Sequence, residues 1–180
     1  MKEKILKMLI DRASKYIGVT EEGGDNRGRQ VEMFQASVDG EASRESWCMG
    51  FVQFCLKETL KKCEADPELK GKAKITLIPA EHVLKVWNET DKKHRRSKPE
   101  IGAMVVWNFY KNGKQTTSGH CGIVVGITAD GKSMSTIEGN TGPGGDVVRE
   151  GDGTYKKVRS VIGSKTMKIM GYIMPFEFKE

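Results

Sequence analysis

Cys48, within the stretch ESWCMGFVQFCL (residues 45–56), is the residue of this chain best placed to do chemistry. Apolar residues follow it at helical spacing and a polar loop precedes it, so the pattern predicts that Cys48 lies on the first turn of a helix. At that position the unpaired N–H groups and the helix dipole stabilise a thiolate. A cysteine on an apolar helix face usually belongs to the core, but a thiolate next to a base is a nucleophile.

A base for this cysteine is available in SGHCGIVVGI, residues 118–127. Alternation with a period of two places His120 on one face of a predicted strand and Cys121 on the other, more apolar, face. The glycines on either side of the histidine leave room for a ligand or another backbone to come close. The remaining histidines, His82 and His94, lie in an amphipathic helix and a basic run, which favours His120 as the site residue.

The segment TIEGN, residues 136–140, supplies a third group. Glu138 and Asn140 are two residues apart, so a regular strand would place them on one face. Either side chain could accept a hydrogen bond from the imidazole N–H and so fix its tautomer. The residues therefore predict a Cys–His pair with one orienting group, and both candidates for that group remain open at this point.

The elements that must position these residues change in character halfway along the chain. Helices are predicted first, at residues 2–17, at 29–36, from Cys48 with Ser46 as N-cap to about Cys63, and from Pro79 to 89. The basic segment 90–100 is predicted to be an exposed linker. Strands are predicted afterwards, at 103–110, 119–127, 134–140, 146–150, 156–162 and 167–176. Helices followed by antiparallel strands are typical of an α+β domain.

Length and charge limit the function classes. A chain of 180 residues predicts a single domain over residues 1–180. The net charge of +6 and the pI near 9.1 favour anionic partners such as cell-wall polymers. Aromatic residues do not interleave with the basic runs, so we expect no nucleic-acid binding. No segment approaches 18 apolar residues, so we expect no stable membrane insertion.

The four cysteines form no pattern typical of a zinc site, because none lies in a C-x-x-C motif and no histidine pair has ligand spacing. The N-terminal residues 1–20 lack the apolar core and the cleavage site of a signal peptide. We therefore expect a protein that is made in the cytoplasm without a signal peptide.

Several segments, in order, resemble the CHAP domain, the cysteine, histidine-dependent amidohydrolase/peptidase family. SWCMGFVQFCL is similar to the nucleophile helix of that family, and GAMVVWNF to the strand that precedes its histidine. SGHCGIVVGI resembles the histidine strand, IEGN the Glu-x-Asn element, and MKIMGYIMPF the final strand. The resemblance covers about residues 15–176, which is nearly the whole chain.

This resemblance implies a papain-like α+β fold in which N-terminal helices pack on an antiparallel sheet of about five to six strands. It implies Cys48 as nucleophile, His120 as general base, Glu138 as the orienting acid and Asn140 as a fourth site residue. Some family members bind calcium in an acidic loop before the cysteine. Here Asp39, Glu41 and Glu45 lack the spacing of such a loop, so we expect no metal and no cofactor.

The implied function is hydrolysis of an amide bond in bacterial peptidoglycan, as an N-acetylmuramoyl-L-alanine amidase or an endopeptidase with a Cys-His-Glu mechanism. We expect a monomeric phage endolysin that is made in the cytoplasm and acts on the cell wall after release. The alternatives are an interbacterial toxin effector with the same chemistry, a cytoplasmic amidase for a small amide conjugate, and a catalytically silent module that binds the cell wall.

Overall fold

The computed structural model describes residues 1–144 and 151–179, and in this part of the chain helices precede most of the strands. The helices are α1 (Lys2–Ser14), α2 (Arg29–Asp39), α3 (Cys48–Ala65) and α4 (Val83–Glu89), followed by a 3-10 turn at Lys92–His94. The strands are β1 (Ala73–Ile75), β2 (Arg95–Arg96), β3 (Met104–Lys111), β4 (Lys114–Ile127), β5 (Ser133–Thr141), β6 (Gly153–Ser160), β7 (Met167–Ile173) and β8 (Phe176–Phe178). The predicted α+β class is confirmed. The strand predicted at 146–150 lies outside the described residues.

Six strands form one antiparallel sheet in the order β2-β7-β3-β4-β5-β6, and β1 pairs separately with β8. The segment predicted as the last strand is divided between β7 and β8. β7 lies inside the sheet, because β2 pairs with its outer edge through Arg95 and Arg96. The prediction that residues 90–100 form only an exposed linker was therefore wrong. Arg95 and Arg96, which were predicted to lie in a linker, cover the edge of β7 that would otherwise be open.

α3 is the central helix of the fold. Its first nine residues, 48–56, are all buried, because α1 and α2 cover one side and β4 and β5 the other. The crossing with α2 is close: a Cβ on Gly50 would lie 2.8 Å from the carbonyl oxygen of Phe34. Only glycine permits this approach, which holds the start of α3 firmly in place.

Three helix boundaries differ from the prediction, and one of them is the end of α2, which lies at Asp39 rather than at residue 36. α1 ends at Ser14 rather than near residue 17, and it buries Ile5, Leu6, Leu9 and Ala13. α4 begins at Val83 rather than at Pro79. The chain ahead of it is held in place, since the side chain of Gln53 donates a hydrogen bond to the Ile78 carbonyl (2.8 Å).

The large sheet is strongly curled. The guanidinium of Arg159 on β6 lies 5.8 Å from the ring centre of Trp107 on β3, although β4 and β5 lie between these strands. In a flat sheet, strands three places apart would be separated by about 14 Å. Curling encloses the side chains of the concave face, and His120 and Glu138 are among them. Within the described residues, no helix has both the length and the apolar character needed to cross a bilayer.

Candidate active site

Cys48 is the first residue of α3, as its position in the sequence predicted. The N-cap is Trp47 and not Ser46. The first N–H group that bonds within the helix is that of Phe51, which donates to the Trp47 carbonyl at 2.9 Å. The N–H groups of Cys48, Met49 and Gly50 therefore have no acceptor inside the helix. They are directed toward the helix start, where the dipole favours negative charge.

The Cys48 thiol is held in its ionised form by its neighbours. A hydrogen bond from the Cys121 thiol is the largest influence and lowers the pKa of Cys48, while burial opposes it. Hydrogen bonding to His120 and its positive charge lower the pKa of Cys48 further, so that it lies well below its usual value. Burial and the nearby Cys48 charge raise the pKa of Cys121 instead. These shifts favour the thiolate form of Cys48 and the neutral thiol form of Cys121.

His120 lies on β4 between Cys48 and Glu138. Its Nε2 atom is 2.9 Å from Oε2 of Glu138, and its ring stacks on Trp107 with ring centres 5.7 Å apart. Burial lowers the pKa of His120, but hydrogen bonding to Cys48 and Glu138 outweighs burial and raises it to about 9. Because Nε2 faces Glu138, Nδ1 is the ring nitrogen that remains for Cys48.

Glu138, on β5, is completely buried and accepts hydrogen bonds from three side chains. They come from Nε2 of His120, from the Thr136 hydroxyl at 2.5 Å, and from Arg159. Burial raises the pKa of Glu138, but Arg159 and then His120 lower it to about 2. The carboxylate therefore stays ionised at neutral pH. Of the two orienting groups left open by the sequence, Glu138 is the one that bonds the imidazole.

Arg159 is a site component that the sequence did not predict. Its Nε donates to Oε1 of Glu138 at 2.9 Å and its Nη2 to Oε2 at 2.7 Å, and its side chain is only 8% exposed. A charged residue in a strand usually marks a solvated face. On β6 the pattern is inverted, because Lys157 and Arg159 face inward while Val158 is 72% exposed. In the sequence, the apolar Val158 between Lys157 and Arg159 was the pattern that could have indicated inward-facing basic side chains.

Asn140 does not follow the regular alternation that predicted a face shared with Glu138. Its φ is +53°, and the pairing of β5 with β6 shifts register between Glu138 and Thr141. Asparagine tolerates this left-handed conformation better than most residues. The Asn140 side chain is buried, and its Oδ1 has no hydrogen-bond partner in the described part of the chain. Its role as a fourth site residue stays a prediction.

Gly122 makes room for the carboxylate, as the glycines around His120 predicted in general terms. A Cβ at this position would lie 2.6 Å from Cγ of Glu138. Any side chain here would push Glu138 away from His120, because carbon atoms do not approach this closely without a bond. The residue after Cys121 therefore has to be glycine for the Glu138–His120 hydrogen bond to form.

Over residues 1–144 and 151–179, no group of three or more His, Cys, Asp or Glu side chains is arranged to hold a metal ion. The acidic residues ahead of Cys48 lie close enough to Glu81 to affect it. Burial first, and then the charges of Glu45, Asp39 and Glu41, raise the pKa of Glu81. The expectation that no metal is required stays a prediction.

Cys48, His120, Glu138 and Arg159 each neighbour the next, and their favoured charges alternate in sign from thiolate to guanidinium. Such a series can deliver a nucleophile to a carbonyl carbon and then a proton to a leaving group. Uncompensated charges are costly to bury, and here each charge has an opposite neighbour.

Comparison with protein families matches residues 40–140 to the model of the CHAP domain. The matched region includes Cys48, His120, Glu138 and Asn140, whereas Arg159 lies beyond it. Comparisons with curated proteins and with solved structures gave no match.

Proposed function

Because the chain belongs to the CHAP domain family of cysteine- and histidine-dependent amidohydrolases and peptidases that act on peptidoglycan, we propose that it cleaves an amide bond of peptidoglycan with Cys48 as nucleophile. One observation carries the proposal. A fully buried Glu138 bonds a buried His120 at 2.9 Å, and Cys121 and then that histidine lower the pKa of Cys48 at the first position of a helix.

The first half of the reaction forms an acyl-enzyme. The Cys48 thiolate attacks the amide carbonyl carbon, and the carbonyl oxygen becomes an oxyanion. The backbone N–H groups at the start of α3 are the donors nearest to this charge, because they have no acceptor inside the helix. The His120 imidazolium then gives its proton to the leaving amine, and the C–N bond breaks.

The second half releases the acid. His120, now neutral, takes a proton from a water molecule that attacks the thioester carbon. The C–S bond breaks and Cys48 leaves as a thiolate, while the proton on His120 restores the starting ion pair. Glu138 remains ionised throughout and stabilises the imidazolium in both resting and final states. No metal or cofactor is needed for either step.

The substrate follows from the family and from charge. Peptidoglycan and its attached polymers carry negative charge, and the chain carries a net charge of +6. Either the sugar-to-peptide amide or a bond within the peptides fits the mechanism. We place the enzyme in a phage endolysin role, and an interbacterial effector would use the same chemistry.

Two alternatives use the fold differently. A catalytically silent wall-binding module would have no use for an ionised Glu138 in a fully buried position, since burial of such a charge is costly. This argues for the enzyme. A cytoplasmic amidase for a small amide would share all the site chemistry and differ only in substrate size.

The test is digestion of purified peptidoglycan followed by mass spectrometry of the released fragments. The wild-type protein should release fragments with one new amino and one new carboxyl end, and the mass should identify the bond. Cys48→Ala should release none while it still binds the walls. Equal release by both proteins would contradict the proposal, and hydrolysis of small amides without release from walls would favour the cytoplasmic amidase.

A further inference from the structure

The contact that sets the state of Glu138 comes from a residue outside the matched family region. Arg159 approaches with two nitrogen atoms, Nε at 2.9 Å from Oε1 and Nη2 at 2.7 Å from Oε2. This two-point contact fixes the plane of the carboxylate, since the guanidinium is flat and rigid. Oε2 is the same atom that lies 2.9 Å from His120 Nε2. One carboxylate oxygen thus joins the arginine to the histidine.

We propose that Arg159 is a positioning residue that keeps Glu138 ionised and holds its Oε2 against Nε2 of His120. The inference rests on the proposed function, because it assigns a role within that reaction.

The physical reason for this role is the location of the proton between His120 and Glu138. Glu138 is fully buried, and burial disfavours its charged form. With His120 as its only cationic partner, the pair could become neutral by moving the imidazolium proton to the carboxylate. The permanent charge of Arg159 opposes this transfer, because arginine does not deprotonate in proteins. The proton then stays on His120, where the leaving amine needs it.

The position of Arg159 is itself fixed. Its guanidinium lies over Trp107, which stacks in turn on His120. The indole ring of Trp107 therefore packs against both Arg159 and His120, the two cationic groups that contact Glu138. This arrangement would be costly to keep if Arg159 only filled space, because a buried arginine loses its hydration.

β6 offers a matched control at Lys157. This residue lies on the same strand and face, two positions before Arg159, and is also buried. Its Nζ donates to the carbonyl oxygens of Gly142 and Gly144. The changes Arg159→Gln and Lys157→Gln therefore each remove one buried cation from β6. Among the contacts of residues 1–144 and 151–179, only the first removes one with Glu138.

The experiment follows the Glu138 carboxyl carbon by NMR as a function of pH, together with kcat and KM on peptidoglycan fragments. In Arg159→Gln, the Glu138 titration should move up from about 2 toward the ordinary range, because its strongest charge partner is lost. We expect kcat to fall about 100-fold with little change in KM. Arg159→Lys should keep the Glu138 titration near its wild-type position, yet lose part of kcat because one ammonium cannot hold both oxygens.

Lys157→Gln should lower the melting temperature without moving the Glu138 titration. The proposal is overturned if Arg159→Gln leaves that titration in place, or if Arg159→Lys has wild-type kcat. The NMR measurement needs no substrate, so it distinguishes an error about Arg159 from an error about peptidoglycan hydrolysis. Should Arg159→Gln fail to fold, the kcat of Arg159→Lys still decides whether the two-point contact matters.

Discussion

At the scale of single residues, Cys48, His120 and Glu138 lie next to groups of opposite charge. Each of the three would be neutral if it were buried alone. Burial alone would raise the pKa of Cys48 and lower that of His120. Both pKa values shift the other way. A hydrogen bond from Cys121, and then His120, lowers the pKa of Cys48, while hydrogen bonding to Cys48 and to Glu138 raises the pKa of His120. These directions favour a thiolate–imidazolium pair, and the two titrations belong to the pair rather than to either residue.

The pH dependence of kcat/KM follows from these directions. The Cys48 pKa lies well below its usual value, so the acid limb should fall below neutral pH. The His120 pKa is raised to about 9, and the imidazolium that protonates the leaving amine is lost as the pH rises through that value. Activity should therefore be flat around neutral pH and decline near pH 9. A single limb centred near the ordinary histidine pKa would contradict this.

The two candidates for the orienting group can be separated by matched variants. Glu138→Gln should lower turnover at least about 100-fold, because the amide cannot stabilise the imidazolium by charge. It should also lower the pKa of His120. Asn140→Ala should cost less, since Oδ1 of Asn140 has no hydrogen-bond partner in the described chain. NMR of His120 and steady-state kinetics of both variants provide the measurement. If Asn140→Ala were the more damaging and Glu138→Gln left the His120 pKa unchanged, the roles would be exchanged.

At the scale of elements, the sequence predicted those positions of candidate site residues that depend on local patterns. It missed the positions that depend on tertiary contacts. The Cys48 helix and the His120 strand follow from periodicity and from turn residues. The role of Arg159 could not be predicted in the same way, because its contact with Glu138 depends on the pairing of β6 with β5. The edge strand β2 was missed for a similar reason: Arg95 and Arg96 are in a strand only because β7 offers them an open edge.

Close contacts between elements give a prediction with a built-in control. On β4, a Cβ at Gly122 would lie 2.6 Å from Glu138 Cγ, whereas a Cβ at Gly126 would meet Ser135 Cβ at an ordinary 3.6 Å. Gly122→Ala should therefore displace Glu138 and lower kcat about 100-fold. Gly126→Ala, four residues along the same strand, should leave kcat near the wild-type value. Equal kinetics for the two variants would show that Glu138 does not need this space.

At the scale of the whole molecule, helix α3 carries Cys48, the proposed nucleophile, and the curled sheet carries His120, Glu138 and Arg159. The α+β class and the antiparallel sheet were predictable because helical and strand patterns occupy different halves of the chain. The curl of the sheet was not predictable from the sequence. It is evident from the contact between Arg159 and Trp107, which lie on strands separated by two others. The papain-like comparison, the single domain over residues 1–180 and the monomeric state stay predictions.

Metal independence is a prediction for the intact protein. The mechanism uses thiolate, imidazolium and carboxylate groups alone, so EDTA should leave the rate of wall digestion unchanged. The measurement is turbidity clearance of purified walls before and after EDTA, followed by addition of calcium. A large loss that calcium restores would show that Asp39, Glu41 or Glu45 contributes to a cation site.

Selective alkylation tests the central claim, that Cys48 is an activated nucleophile, most directly. The protein is treated with iodoacetamide at about pH 6, well below the ordinary thiol pKa of about 8.5. Labelling of each cysteine is quantified by peptide mass spectrometry alongside the remaining wall-digesting activity. Burial raises the pKa of Cys55, Cys63 and Cys121, so none of these three should react. We expect Cys48 alone to be labelled and activity to fall in proportion to its labelling. Full activity after complete labelling of Cys48 would contradict the claim.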